Sequence, residues 1–171
     1  YNYSSRWVND RNLILKIRDL SEWRRTNYVL DIAVGTGKIA AAFHGKVKRV
    51  VGIDSCREMI EQSRGCADEI ILGLAEKMPF KNDSFDICVC RQGLQFMEVN
   101  AVLKQIYRIL KPEGRLVLCH LAAYGENDKE TTFLIQRLRN PARKNFFLAK
   151  NLIDAVKANG FSGIESFEYI T

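Results

Sequence analysis

The chain has 171 residues, 47% hydrophobic and 27% charged, a balance that supplies the core of one domain and excludes a disordered tail or a membrane bundle. Its 26 lysines and arginines against 20 acids leave a net charge of +6. Apart from Lys46, Lys48, Arg49 and from Arg137, Arg139, Arg143, Lys144, the basic residues are dispersed; they read as solvated faces, and no nucleic-acid partner is expected.

In chain order, Tyr1 to Trp7 reads as part of a lid, and Leu13, Ile14, Ile17 and Leu20 recur at helical spacing. Residues 1–27 are therefore expected to form an N-terminal helical or lid segment. Short β-branched runs follow at YVLDI (28–32), RVVGID (49–54), EIIL (69–72), DICVC (86–90) and RLVLCHL (115–121). Such runs predict buried parallel strands. None approaches the roughly 20 apolar residues of a spanning helix, Leu116 to Ala123 being broken by His120. Between the strands lie helical patterns, including KIAAAF at 38–43 and the stretch from Asn100 to Leu110, with Asn100 as its expected N-cap. Residues 122–148 break the strand-helix rhythm, and their Phe133, Leu134, Leu138, Phe146 and Phe147 suggest a helical cover over the substrate. A helix over Ala149 to Asn159, a cap at Gly160 and a last strand near Ile164 to Tyr169 complete the series. Alternating strands and helices imply an α/β, doubly wound, mostly parallel Rossmann-like sheet with helices on both faces, as a single domain over 1–171. Its ligands belong beyond the carboxyl ends of the strands.

The sharpest motif is DIAVGTG at 31–37, between a strand and a helix. Gly35 and Gly37 allow a sharp turn and close backbone approach to a ligand, and Asp31 can orient the loop and attract a cationic amino group. Asp54 ends the second strand, where its two oxygens can accept both hydroxyl protons of a ribose diol. Ser55-Cys56-Arg57-Glu58 has capping-box spacing, so Ser55 is expected to start a helix. Gly35, Gly37 and Ala40 also satisfy the dinucleotide fingerprint G-x-G-x-x-A, and an acid about 20 residues on fits that reading too. A nicotinamide-dependent oxidoreductase stays open at this point.

The later motifs GLAEKMPFKNDSFDICVC and ILKPEGRLVL, taken in order with VLDIAVGTG and VGIDSCREMI, resemble the ubiquinone/menaquinone-type methyltransferases, the type 11 group of class I S-adenosylmethionine-dependent enzymes. The resemblance implies a cofactor, S-adenosylmethionine, and a small-molecule methyl acceptor. It places the glycine-loop role on Asp31, Ala33, Gly35 and Gly37, the ribose acid on Asp54, the adenine pocket on Ser55, Leu74 and Ala75, and the approach to the methionine part on Arg91. Asp86, at a strand's beginning, reads as structural. The sequence departs from the family at Ala33, where many members have glycine, a change compatible with a negative φ there. It departs again at Leu74, where an acceptor for the adenine amine is common. At Gln95 and Phe96 an imidazole is replaced, and no general base is evident.

The function expected is methyl transfer to a small or medium organic acceptor, with a noncatalytic S-adenosylmethionine-binding module as the alternative. The five cysteines, 56, 66, 88, 90 and 119, include no C-x-x-C pair; their odd number suits a reducing, cytoplasmic setting without disulfides. With His44 and His120 the only histidines, no metal site has recognisable spacing. Because the chain opens on Tyr1 and ends at Thr171, its termini are expected to be incomplete and the sheet to have six strands, the fifth lacking its usual outer neighbour.

Overall fold

The structure, a computed structural model, describes residues 9–120, 122–123 and 147–167. Five strands, β1 (Tyr28–Ile32), β2 (Arg49–Asp54), β3 (Glu69–Leu72), β4 (Phe85–Arg91) and β5 (Leu110–Cys119), make one sheet in the order β3-β2-β1-β4-β5. Every pairing in it is parallel. Among the described residues five α-helices accompany it: α1 (Arg11–Leu20), α2 (Lys38–Phe43), α3 (Arg57–Gln62), α4 (Val99–Ile109) and α5 (Ala149–Ala158).

The apolar runs of β1, β2 and β4 are continuous because these central strands are buried on both faces. In contrast β3, at the sheet's edge, has no buried residue, against the burial expected of it, and β5 is buried only at Leu110 and Val117. Side chains alternate across the sheet with period two. Val29, Val50, Ile87, Val89 and Val117 pack against Leu13 and Ile17 of α1 and Ile39, Ala40 and Phe43 of α2. Leu30, Ile32, Val51, Ile53, Cys88 and Cys90 instead meet Val102, Leu103, Ile106 and Ile109 of α4 and Val156 of α5. Each large aliphatic buried this way contributes about 1.5–3 kcal/mol before the entropy of ordering is subtracted. At the amino edge of the sheet the Asp86 carboxylate accepts the Tyr28 N–H at 2.7 Å and the Lys111 ammonium at 2.9 Å, locking β4 to β1 and to the start of β5. Its role is the structural one expected.

Four expectations are corrected. The helix expected to start at Asn100 begins at Val99, with Glu98 in the cap position and no side-chain cap bond. Its terminus is served from elsewhere in the chain: the Glu98 N–H donates to Glu76 Oε1 at 3.0 Å. Asn100 lies inside the first turn and accepts from Asn159 Nδ2 at 3.1 Å. The fifth strand starts earlier than Arg115, because Leu110 already pairs with Phe85 before an irregularity resumes the ladder at Ile87–Arg115; Glu113 there has φ +61°. Ser55 is not the cap of α3; Cys56 holds that position.

The last correction concerns Ile164 to Tyr169. Residues 164–167 form no strand, and 168–169 lie outside the described residues. Among the described residues β5 pairs with β4 and no strand lies on its outer side. A separate parallel pair, β6 (Ala122–Ala123) with β7 (Phe147–Leu148), joins the two ends of the expected cover. The remainder of that cover, 124–146, and the lid expected over Tyr1 to Trp7 lie outside the described residues. The cap expected at Gly160 forms, with φ +94° and its N–H donating to the Lys157 carbonyl at 3.0 Å.

Candidate functional site

The strand order reverses between β1 and β4, and open parallel sheets offer a crevice at such a switch point, beyond the carboxyl ends. The site residues read from the sequence all fall on this edge. Asp31, Ala33, Gly35 and Gly37 end or follow β1, Asp54 and Ser55 end or follow β2, Leu74 and Ala75 follow β3, and Arg91 ends β4.

The loop after β1 is wound through left-handed backbone at Ala33 (φ +57°), Gly35 (φ +53°) and Gly37 (φ +77°). The negative φ with which alanine at position 33 would be compatible is therefore not what the loop adopts: this alanine holds a conformation that favours glycine. Its methyl group fits because residue 93 is glycine. A Cβ at Gly93 would lie 2.7 Å from Ala33 Cβ and 3.0 Å from Cys90 Sγ. The two loop glycines differ in their surroundings. A Cβ at Gly37 would strike Cys66 at 2.5 Å (Cβ) and 2.7 Å (Sγ), whereas one at Gly35 would meet only the Ala33 carbonyl, at 3.8 Å. Gly37 is thus needed for packing, and Gly35 borders open space.

Gly37 sits at the N-cap of α2 and has no side chain to cap it. Asp31 supplies the missing acceptor, with Oδ2 taking the Ala40 N–H at 2.8 Å. This carboxyl is only 2% exposed. Burial pushes its pKa up to about 8, against the opposing pull of the Ala40 N–H and of Arg91. Arg91 is itself partly buried, which lowers its pKa, while Cys119, Asp31 and Asp10 act in the other direction.

Asp54 ties two segments together. Its Oδ2 accepts the Gly35 N–H at 2.9 Å and its Oδ1 accepts the Cys56 N–H at 2.9 Å. The second bond explains why Ser55 does not cap α3: the preceding carboxylate already orients the turn. Each Asp54 oxygen keeps a lone pair for a further donor. Beside it the Gly73 N–H donates to the Asp54 carbonyl at 2.8 Å, which brings Leu72, Leu74 and Ala75 against this edge. Ala75 is buried, while Leu72 and Leu74 are 48% and 59% exposed.

Gln95 is buried, its amide donating to the Gln92 carbonyl. Cys90 lies deep in the core, and burial pushes its thiol up to about 12, far from a reactive thiolate. The described residues include no cluster of three His, Cys, Asp or Glu able to hold a metal, and none of their helices is long and apolar enough to cross a membrane. Sequence reasoning missed Gly93 and Leu72. For Gly93 a weak signal existed, a glycine two residues past a strand end; for Leu72 nothing in an apolar strand announced exposure.

Against known proteins, the chain matches the family described as "Methyltransferase domain" over residues 30–118, more than half its length. It is 34% identical over 142 residues to an uncharacterized methyltransferase of Bacillus subtilis, YcgJ, covering 78% of this chain and 55% of that protein. With a demethylmenaquinone methyltransferase of Thermotoga maritima it shares 37% identity over 98 residues, covering 54% of this chain and 43% of that one. The chain thus spans about half the length of these relatives. The crystal structure of a putative methyltransferase from Bacillus halodurans superposes with a TM-score of 0.81 at 24% identity, covering 86% of this chain and 68% of that one. The family match, on a sheet of this order with its glycine loop at the carboxyl edge, places the chain in the methyltransferase-domain family, whose members draw a methyl group from S-adenosylmethionine.

Proposed function

We propose that this chain is the S-adenosylmethionine-binding domain of a methyltransferase acting on a small or medium organic acceptor. The observation that carries the reading is the pairing of Asp54 with the Gly35 N–H, which sets a carboxylate with spare lone pairs beside a stretch of backbone that opens on free space. That arrangement suits the cofactor in three ways. Asp54 accepts from the ribose diol, Gly35 admits close approach of the rest of the molecule, and Ser55, Leu74 and Ala75 border the base. When bound, S-adenosylmethionine supplies a methyl group already made electrophilic by its sulfonium.

The chain's own residues align and exclude more than they activate. Asp31, once ionised, offsets the ammonium of the cofactor's amino acid end. Arg91, on the other side of the switch point, serves that same end or an anionic acceptor. Gln95, at a position where the resemblance implies an imidazole, is buried and has no titratable group, so the reading favours an acceptor from which the protein need not remove a proton before in-line attack. The test is calorimetric titration with S-adenosylhomocysteine and with NAD. Saturable heat from the homocysteine compound is expected, and heat from NAD alone would overturn the proposal. A methyl-transfer assay across carbon, oxygen, nitrogen and sulfur acceptors then separates a catalyst from a module that only binds.

A further inference from the structure

The loop that leaves β4 is held from beneath by a buried amide. Gln92, the first residue past the strand, has left-handed backbone (φ +56°), a conformation that a residue with a side chain keeps only where its surroundings over-determine it. Two bonds do so. The Gln92 N–H donates to the Cys119 carbonyl at 2.9 Å, tying the loop to the end of β5. The Gln92 carbonyl accepts from Gln95 Nε2, which also lies 3.5 Å from Gln92 Oε1. Among the described residues no backbone N–H is bonded to that carbonyl, because the helical turn Leu94–Phe96 closes one residue later, with the Phe96 N–H on the Gly93 carbonyl at 3.0 Å. Gln95 is only 3% exposed, and a polar side chain is tolerated at that depth with its partners in place.

The loop in turn shapes the crevice. The ladder between β1 and β4 ends at Ile32 and Cys90, so Ala33 and Arg91 are the next residue of each strand at the switch point. Gly93 lies under the Ala33 methyl group and against Met97, whose Cε would be 3.3 Å from a Cβ there. Rotation of Gln92 out of the left-handed region would carry Gly93 off that seat and move Arg91 with it. In the proposed binding the diol lies on Asp54 of β2, and the amino acid end is the part of the cofactor that reaches β1 and β4.

We infer that Gln95 is a positioning residue: by bonding the Gln92 carbonyl it holds Arg91, Gln92 and Gly93 in the shape that receives the amino acid end of the cofactor. The inference rests on the proposed function, and Gln95 acts through Gln92 without touching the ligand. Calorimetry on the whole chain compares S-adenosylhomocysteine with methylthioadenosine, which keeps the base, the diol and the sulfur but lacks the amino acid end. In Gln95→Met, close in size and without the amide donor, the first compound should bind about fivefold or more weakly, the scale of one ordinary hydrogen bond, and the second within about twofold of its affinity for the unaltered chain. A loss as large for methylthioadenosine, or no loss for either compound, would overturn the inference and leave the proposed function standing. An unaltered chain that binds neither would overturn both. If the variant fails to melt like the parent, nuclear magnetic resonance on the isotope-labelled unaltered chain gives the same decision. The Gln95 side-chain amide signals are expected to move on addition of S-adenosylhomocysteine and to stay in place with methylthioadenosine; signals that treat the two compounds alike would contradict the assignment.

Discussion

At the scale of single residues, the two carboxylates of the site do opposite electrostatic work. Asp54 sits at the rim and bonds two backbone N–H groups. Asp54→Ala should weaken S-adenosylhomocysteine binding by about 1.5–3 kcal/mol in a calorimeter; an unchanged affinity in a folded variant would take Asp54 out of the site. Asp31 is buried, and its folded-state pKa, about 8, lies above its ordinary value of 3.8. The folded chain therefore binds the proton more tightly than the unfolded one. The associated stability is present below about pH 4 and is lost as pH rises toward about 8. Asp31→Asn keeps an acceptor for the Ala40 N–H and removes the charge, so urea melts at several pH values should show that slope flattened. At Ala33, relief of left-handed strain outweighs the added backbone entropy of glycine, and Ala33→Gly should raise stability by roughly 0.5–1 kcal/mol in thermal unfolding. Asp31 and Asp54 were legible because an acid that closes an apolar run stands out. The φ of Ala33 was not, since it depends on a gap opened by Gly93, far away in the chain.

Among the elements, strands were easier to read than helix ends. Runs of β-branched residues announce themselves by composition, and β1, β2 and β3 have the bounds expected of YVLDI, RVVGID and EIIL, although only the first two are buried. Helix starts were misread at α4, whose terminus is served by the distant Glu76, and at α3, where Asp54 orients the turn; α2, served by Asp31, starts at Lys38 as expected. A local rule such as the capping box has no view of such partners. The same distinction separates the two loop glycines. Gly37→Ala should cost about 2 kcal/mol or more of stability, because its Cβ overlaps Cys66 and its φ is left-handed. Gly35→Ala should cost about 1–2 kcal/mol, from φ alone, yet reduce cofactor affinity more than any folding defect explains. Parallel melting and titration of the two variants would expose the difference, and equal effects on both readouts would contradict it.

Taken whole, the sheet keeps its fastening and its chemistry on opposite edges. The Asp86–Lys111–Tyr28 lock lies at the amino edge, with the Lys111 ammonium 5.0 Å from the centre of the Tyr28 ring. Lys111→Met should lower stability by no more than about 1 kcal/mol, the pair being partly solvated, and leave S-adenosylhomocysteine affinity unchanged. A loss of affinity there would mean that the two edges are coupled. At the carboxyl edge, Ala33 and Gln92 both hold left-handed backbone that their side chains disfavour. The doubly wound topology was legible from the rhythm of the sequence, but the arrangement beyond β5 was not, because a strand at the margin depends on a neighbour that its own residues do not encode. The distance between lock and loops also bears on descent. Mutations that retune the loops for a different acceptor draw on a reserve of stability held at the far edge and untouched by them, so a lineage built on this sheet can change its chemistry by small steps without passing through unfolded ancestors.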